Sequence, residues 1–177
     1  MELLRTDRVV LRAWRDDEAD RLLDIHRRPE VRRWIDDDQD DPVLWTTRDK
    51  AVETIARYAA ELEPGNPVGF WAVEERATGV AAGTVLITTA GSDPPPDETE
   101  VEIGWHLHPD AWGRGLAREA AGALLAAGLE RRPRINALMY VDNEPSAEVA
   151  RAIGMVEQPI SVDRFYPGES RHFIAEA

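Results

Sequence analysis

Three groups of residues have types and spacings that could do chemistry. In Trp112-Gly113-Arg114-Gly115, two glycines precede a helical pattern in which Leu116, Ala120, Ala123, Leu124 and Ala127 fall on one face. A helix start leaves backbone N–H groups without partners and carries the positive end of the macrodipole, and glycine lets a ligand approach that backbone closely. Phosphate oxygens bind at such a place. A tight turn into a packed helix would also account for the glycines. Upstream, Glu98, Glu100 and Glu102 alternate along a strand-like run and share one face with His106. They could exchange a proton with a ligand, or form an acidic solvent face. Downstream, Asn143-Glu144-Pro145-Ser146 sets an amide and a hydroxyl at the start of a short helical run. An Asx turn is the alternative account of that pair.

The elements that must position these groups follow from periodicity and turn chemistry. The residue types predict a strand over 101–107, ended by His108-Pro109-Asp110 because proline cannot continue a ladder. Further strands are expected over 7–14, 68–74, 80–88 and 134–141, with a final pair over 156–163 and 171–176. A helix enters at Asp16-Asp17-Glu18 and runs through Leu22, Leu23 and Ile25 to His26, which reads as a surface or capping residue. A second covers 46–62, with Val52, Ile55, Ala56, Ala59 and Leu62 as its apolar face and Thr46 with Asp49 as a capping box. Pro145 opens a short helix that Gly154 closes. A strand at 134–141, coming after a helix, is expected parallel to 101–107 through a right-handed crossover.

Between the first two long helices, residues 27–45 change in composition. Arginine pairs, Trp34, Trp45 and an acidic run from Asp36 to Asp41 suggest a short helix at 30–35 and a loop. That connector could be an acceptor-side lid whose aromatic faces and aspartates attract an ammonium. Residues 90–98, rich in proline, read as an exposed loop. The element order predicts an α/β fold with a mixed sheet and helices on its faces.

A chain of 177 residues is expected to form one domain, 1–177. Without cysteine it has no disulfide, thiolate metal site or cysteine nucleophile. Formal net charge is -13, from 21 Lys+Arg against 34 Asp+Glu, so the overall field opposes nucleic acid and anionic membranes and favours amines. Arg114 and Arg118 would give an anionic cofactor its local positive site. The first residues hold no apolar signal core, and no apolar run approaches a membrane span of about 18 residues, so a cytoplasmic location is expected.

The glycine loop can be matched against known phosphate loops. The P-loop requires Gly-Lys followed by Ser or Thr, and no lysine stands near; the dinucleotide fingerprint requires glycine where Arg118 stands. What Trp112-Gly113-Arg114-Gly115-Leu116-Ala117 resembles is the acyl-CoA loop of the GNAT superfamily of N-acetyltransferases, Gln/Arg-x-x-Gly-x-Gly/Ala, matched at Gly115 and Ala117. Trp112 departs from the first position. The wider phrase from Glu102 to Ala120 is similar to the branch that contains ribosomal-protein-alanine N-acetyltransferases, and Asn143 to Ser146 is similar to the family's Asn-x-x-Ser segment. The resemblance implies a mostly antiparallel sheet with one parallel pair splayed at the cofactor site, and acetyl-CoA as cofactor. Its pyrophosphate would meet the backbone from Gly113 to Ala117, beside Arg118, and its pantetheine arm the backbone near His106 and Leu107. By the same resemblance Glu102 would take the amine proton, with Glu98 and Glu100 as alternatives. Ser146 would serve the departing thiolate, with Tyr140 in reserve. Asn143 would orient the cofactor or active-site groups, and Trp34, Trp45 and Glu100 would meet the acceptor, a small-molecule or peptide amine. No metal is required. A monomer or a homodimer is compatible, and a noncatalytic acyl-CoA-binding or sensory domain of the same fold is the alternative.

Overall fold

The computed structural model describes residues 1–36, 38–91 and 100–177. Strands β1 (Glu2–Arg5), β2 (Val9–Arg12), β3 (Gly69–Glu75), β4 (Ala81–Thr89), β5 (Val101–Leu107), β6 (Arg134–Met139), β7 (Val156–Glu157), β8 (Ser161–Val162) and β9 (Glu169–Glu176) form one mixed sheet. Its order is β1-β2-β3-β4-β5-β6-β9-β7, with β8 against β9. The pairings are antiparallel except β5 with β6, which run parallel and meet at a single register pair, Glu102 with Asn136. Beyond that pair the two strands splay toward their carboxyl ends.

Among the described residues five α-helices surround the sheet: α1 (Ala19–His26), α2 (Pro29–Arg32), α3 (Arg48–Glu61), α4 (Leu116–Leu129) and α5 (Glu144–Ala152). The alternating faces of β2 to β6 sort into two cores. Leu11, Trp71, Val85, Ile87, Ile103 and Ile135 pack with Leu116, Ala120 and Leu124 of α4 and with Ala147 of α5. Ala72 and Ala81, on the other face, pack with Leu22 and Ile25 of α1 and with Ala51, Ile55 and Tyr58 of α3. At Gly128 a Cβ would lie 2.6 Å from Cδ1 of both Ile87 and Ile135, so α4 lies against the sheet at a distance that requires glycine.

Several sequence expectations need correction. The N-terminal β1 was not expected, because its four residues show no strong alternation; pairing with β2 makes it a strand. In α3 the buried face is Ala51, Thr54, Ile55 and Tyr58, while Val52 is exposed. Tyr58 and Thr54 can bury apolar surface despite their hydroxyls, and that rotates the face from the one the aliphatic residues alone suggest. Thr47, with no side-chain bond, stands at the α3 N-cap in place of the Thr46 capping box. The residues 92–99, including Glu98, lie outside those described, as does Asp37. Among the described residues no helix is long and apolar enough to cross a membrane.

Candidate active site

The sheet carries a cleft of about 1200 Å³ that opens where β5 and β6 splay and extends to the connector between α1 and α3. Glu102, Gly104 and His106 line it from β5, Leu138 and Tyr140 from the end of β6 and beyond, and Leu86 and Thr88 from β4. Gly113, Gly115, Leu116, Ala117 and Arg118 line its α4 end; Asn143, Pro145 and Ser146 line it from α5.

The α4 end is built from backbone. Gly113 and Gly115 have φ of 68° and 74°, a region that costs other residues about 1–2 kcal/mol. Gly115 is the N-cap of α4 and has no side chain to cap with. The first helix-type acceptor bond runs from the Glu119 N–H to the Gly115 carbonyl, and the N–H groups from Gly113 to Arg118 have no protein acceptor among the described residues. This donor cluster, at the positive end of a 14-residue helix, suits a diphosphate. The two arginines differ. Arg118 is exposed at the cleft and has no acidic partner among the described residues, whereas Arg114 pairs with Glu75 on the far side of the loop. Arg8 braces that far side, bonding the carbonyls of Arg114 (2.9 Å) and Gly115 (3.4 Å) while its Nε meets Glu119 at 2.5 Å. Trp112, at the position where the loop departs from the acyl-CoA pattern, donates its indole N–H to the Leu107 carbonyl at 2.8 Å and so ties the loop to the end of β5.

At the centre stands Glu102. Burial pushes its carboxyl up to about 7, against the opposing effect of a 2.5 Å hydrogen bond donated by the Tyr166 hydroxyl. Tyr166 belongs to the turn between β8 and β9, which Asp163 holds by accepting the Gly168 N–H at 2.7 Å. A carboxyl that titrates near neutrality inside a cleft can accept a proton from a ligand at physiological pH. Glu100 does not line the cleft. It accepts from Asn136 Nδ2 at 2.7 Å and from Arg164 at 3.3 Å, and Asn136 in turn meets His172 at 2.9 Å. Glu100 thus ties the start of β5 to β6 and to the β8–β9 turn, outside the residues that line the cleft.

On α5, the Asn143 side chain accepts the Ser146 N–H at 3.2 Å, capping the helix. The amide therefore fixes Ser146, whose residue lines the cleft. Tyr140 donates its hydroxyl to the Asp36 carbonyl at 2.6 Å, joining the β6 end to the connector. Leu107 is buried in the α4 core, and the His106 ring turns toward His26.

The remaining wall comes from the connector and the α1–α3 core. His26 is not at the surface: it is 3% exposed, stacked on Trp45 at 4.0 Å, and edge-on to His106 at 4.9 Å. Burial, aided by the neighbouring His106 and Arg32, pushes His26 down to about 2; burial and Arg32 push His106 down to about 4. Both rings are neutral at physiological pH. His108, expected in a loop, is a buried cap: its Nδ1 accepts the Asp110 N–H and its Nε2 lies 2.9 Å from Asp24. Sequence reasoning passed over Tyr166, 64 residues from Glu102, and Phe70, whose neighbours are set by sheet register. No local spacing signals either.

Comparison with known proteins agrees with this architecture. The model of the acetyltransferase (GNAT) domain family matches residues 8–156. An uncharacterized N-acetyltransferase, YoaA of Bacillus subtilis, is 24% identical over 160 residues, covering 89% of this chain and 85% of its own. Among solved structures, the ribosomal L7/L12 alpha-N-protein acetyltransferase RimL in complex with coenzyme A superposes with a TM-score of 0.74 at 15% identity, covering 99% of this chain and 98% of that one. Spermidine N-acetyltransferase from Vibrio cholerae, in complex with CoA and spermine, gives 0.72 at 14% identity, covering 97% and 96%. With the splayed parallel pair and the glycine loop at the α4 start, these matches identify the chain as a member of the GNAT acetyltransferase family.

Proposed function

We propose that the protein is an acetyl-CoA-dependent N-acetyltransferase that passes the acetyl group directly to a primary amine, on a small molecule or a protein N-terminus. The observation that carries this is the continuity of one cleft from the acceptor-free N–H groups at Gly113 to Arg118 to the near-neutral carboxyl of Glu102. The CoA complexes of RimL and of the Vibrio cholerae spermidine enzyme support the choice of cofactor.

Bound acetyl-CoA supplies an acetyl group activated as a thioester. The α4 start and Arg118 bind its phosphates through N–H groups and one guanidinium. The free edge of β5 beyond Ile103 receives the pantetheine arm. Glu102, held by Tyr166, takes the proton that the substrate ammonium must lose before the neutral amine can attack, and a value near 7 suits that task at neutral pH. Ser146 is aligned by Asn143 to give the departing thiolate a hydrogen bond or proton. Residues 27–45, with Trp34 and Trp45, act as a lid on the acceptor side, and 1–177 work as one acetyltransferase domain.

A thiol-release assay with acetyl-CoA against a panel of amines and peptides, with mass spectrometry of the products, tests the reading. N-acetylated product is expected. Tight CoA binding without release from any amine would replace it with a noncatalytic acyl-CoA-binding role.

A further inference from the structure

We infer that the acceptor is a primary monoamine whose body is an aromatic ring, seated against Trp45, Phe70 and Leu86. This rests on the acetyl-transfer reading and names the substrate class of that site.

The aspartates of the connector do not wait for an ammonium. Asp36 pairs with Arg32 and accepts the Val43 N–H at 2.8 Å. Asp38 accepts the N–H groups of Asp40 and Asp41 at 2.9 and 3.2 Å. The Asp36 and Asp38 carboxylates thus fold their own loop, and Asp40 and Asp41 are exposed and do not line the cleft. Four residues on from Glu102 along the same face of β5, His106 meets His26 edge-on at 4.9 Å, and both imidazoles line the cleft. His26 has both ring nitrogens buried and without a partner in the structure, and His106 has its Nε2 so. Arg32, paired with Asp36, and Arg57, 3.5 Å from Glu61, line the same end. Among the described residues Glu148 and Glu169 also line the cleft, but both are exposed. A polyamine would therefore bring its second ammonium into a region without an unpaired buried carboxylate and with two guanidinium groups close by.

An aromatic ring finds complementary surfaces there. Trp45 presents its indole beside His26, and Phe70 lies flat on Tyr58 at 4.2 Å with an interplanar angle of 3°. Phe70, Trp45 and Ile35 are the partly buried margin of the α1–α3 core, so this wall continues that core up to the cleft. Glu102 is then left for the single amine that reacts.

The test compares kcat/KM of the wild-type chain for 2-phenylethylamine, ethylamine, spermidine and a short peptide with an N-terminal serine, beside calorimetric binding of acetyl-CoA. The expected result is that 2-phenylethylamine exceeds each of the others at least tenfold, and that Phe70→Leu and Trp45→Leu raise its KM while leaving the KM for acetyl-CoA unchanged. If acetyl-CoA binds and no amine reacts, both readings fall; if acetyl-CoA binds and ethylamine, spermidine or the peptide is preferred, acetyl transfer stands while the aromatic acceptor is overturned. Failure of acetyl-CoA itself to bind overturns the acetyl-transfer reading together with it.

Discussion

Tyr166 donates its hydroxyl to Glu102 across 2.5 Å, joining the β8–β9 turn to the start of β5. That bond favours the charged carboxylate while burial favours the neutral acid, and burial is the larger effect. Tyr166→Phe removes the opposing bond, so the Glu102 carboxyl rises further. The acid limb of kcat/KM should move up by roughly 0.5–1 pH unit, and activity at pH 7 should fall about threefold to fivefold. An unmoved limb in a pH–rate profile would place the base elsewhere.

Stability should depend on pH through the same group. Glu102 rises from 4.5 to about 7 on folding, so between those values the folded chain keeps a proton that the unfolded chain has lost. Its contribution is full below pH 4.5 and is lost as pH rises through 7. Glu102→Gln should remove that loss and be on the order of 2 kcal/mol more stable than wild type at pH 8, relative to their difference at pH 4. Denaturant melts at the two pH values measure it, and parallel curves would contradict the burial.

His26 has the opposite sign. Its value falls from 6.5 to about 2, so below pH 6.5 the unfolded chain gains a proton that the folded chain refuses, and stability drops as the solution is acidified. His26→Phe keeps an aromatic ring against Trp45 and should lose less stability than wild type between pH 6.5 and 4. Thermal melts across that range, in a Glu102→Gln background to remove the competing slope, isolate the effect.

The two loop arginines should separate in their effect on the cofactor. Arg118→Ala removes a cleft-facing cation and should weaken acetyl-CoA binding about fivefold to thirtyfold, with a shallower dependence on salt. Arg114→Ala, which gives up an ion pair with Glu75, should change it less than twofold. A larger loss for Arg114→Ala than for Arg118→Ala by calorimetry would mean that the phosphates lie on the Arg114 side.

At Gly115 a valine would combine a left-handed φ with a side chain 3.4 Å from Arg8 Nη2. Acetyl-CoA affinity should fall more than tenfold, and the Tm should drop as well, because the branched residue strains that backbone. Gly115→Ala, with a smaller strain, separates the two effects: affinity retained beside a lowered Tm would remove the phosphate-loop assignment.

How much of this was legible in the residues depends on the range of the interaction. The strand over 101–107, the α4 start and the Gly113–Gly115 turn are local consequences of alternation, proline and glycine, and they emerge where expected. Asn143 capping Ser146 is equally local, a bond across three residues. The buried face of α3 was misjudged because aliphatic periodicity does not count Tyr58.

By itself the sequence determined the glycine turn at the α4 start, with its row of N–H groups that lack helical acceptors, since those groups belong to the first turn wherever the rest of the chain goes. Only the tertiary structure decided the acceptor end. It turned Glu100 into a strut and Glu102 into a half-buried acid of raised pKa, although both belong to the same alternating series. It also brought His26, Phe70 and Tyr166 to one cleft from three distant segments, and turned the acidic connector's charges on its own loop. Burial and long-range pairing set those roles, and neither is encoded in the spacing of neighbouring residues.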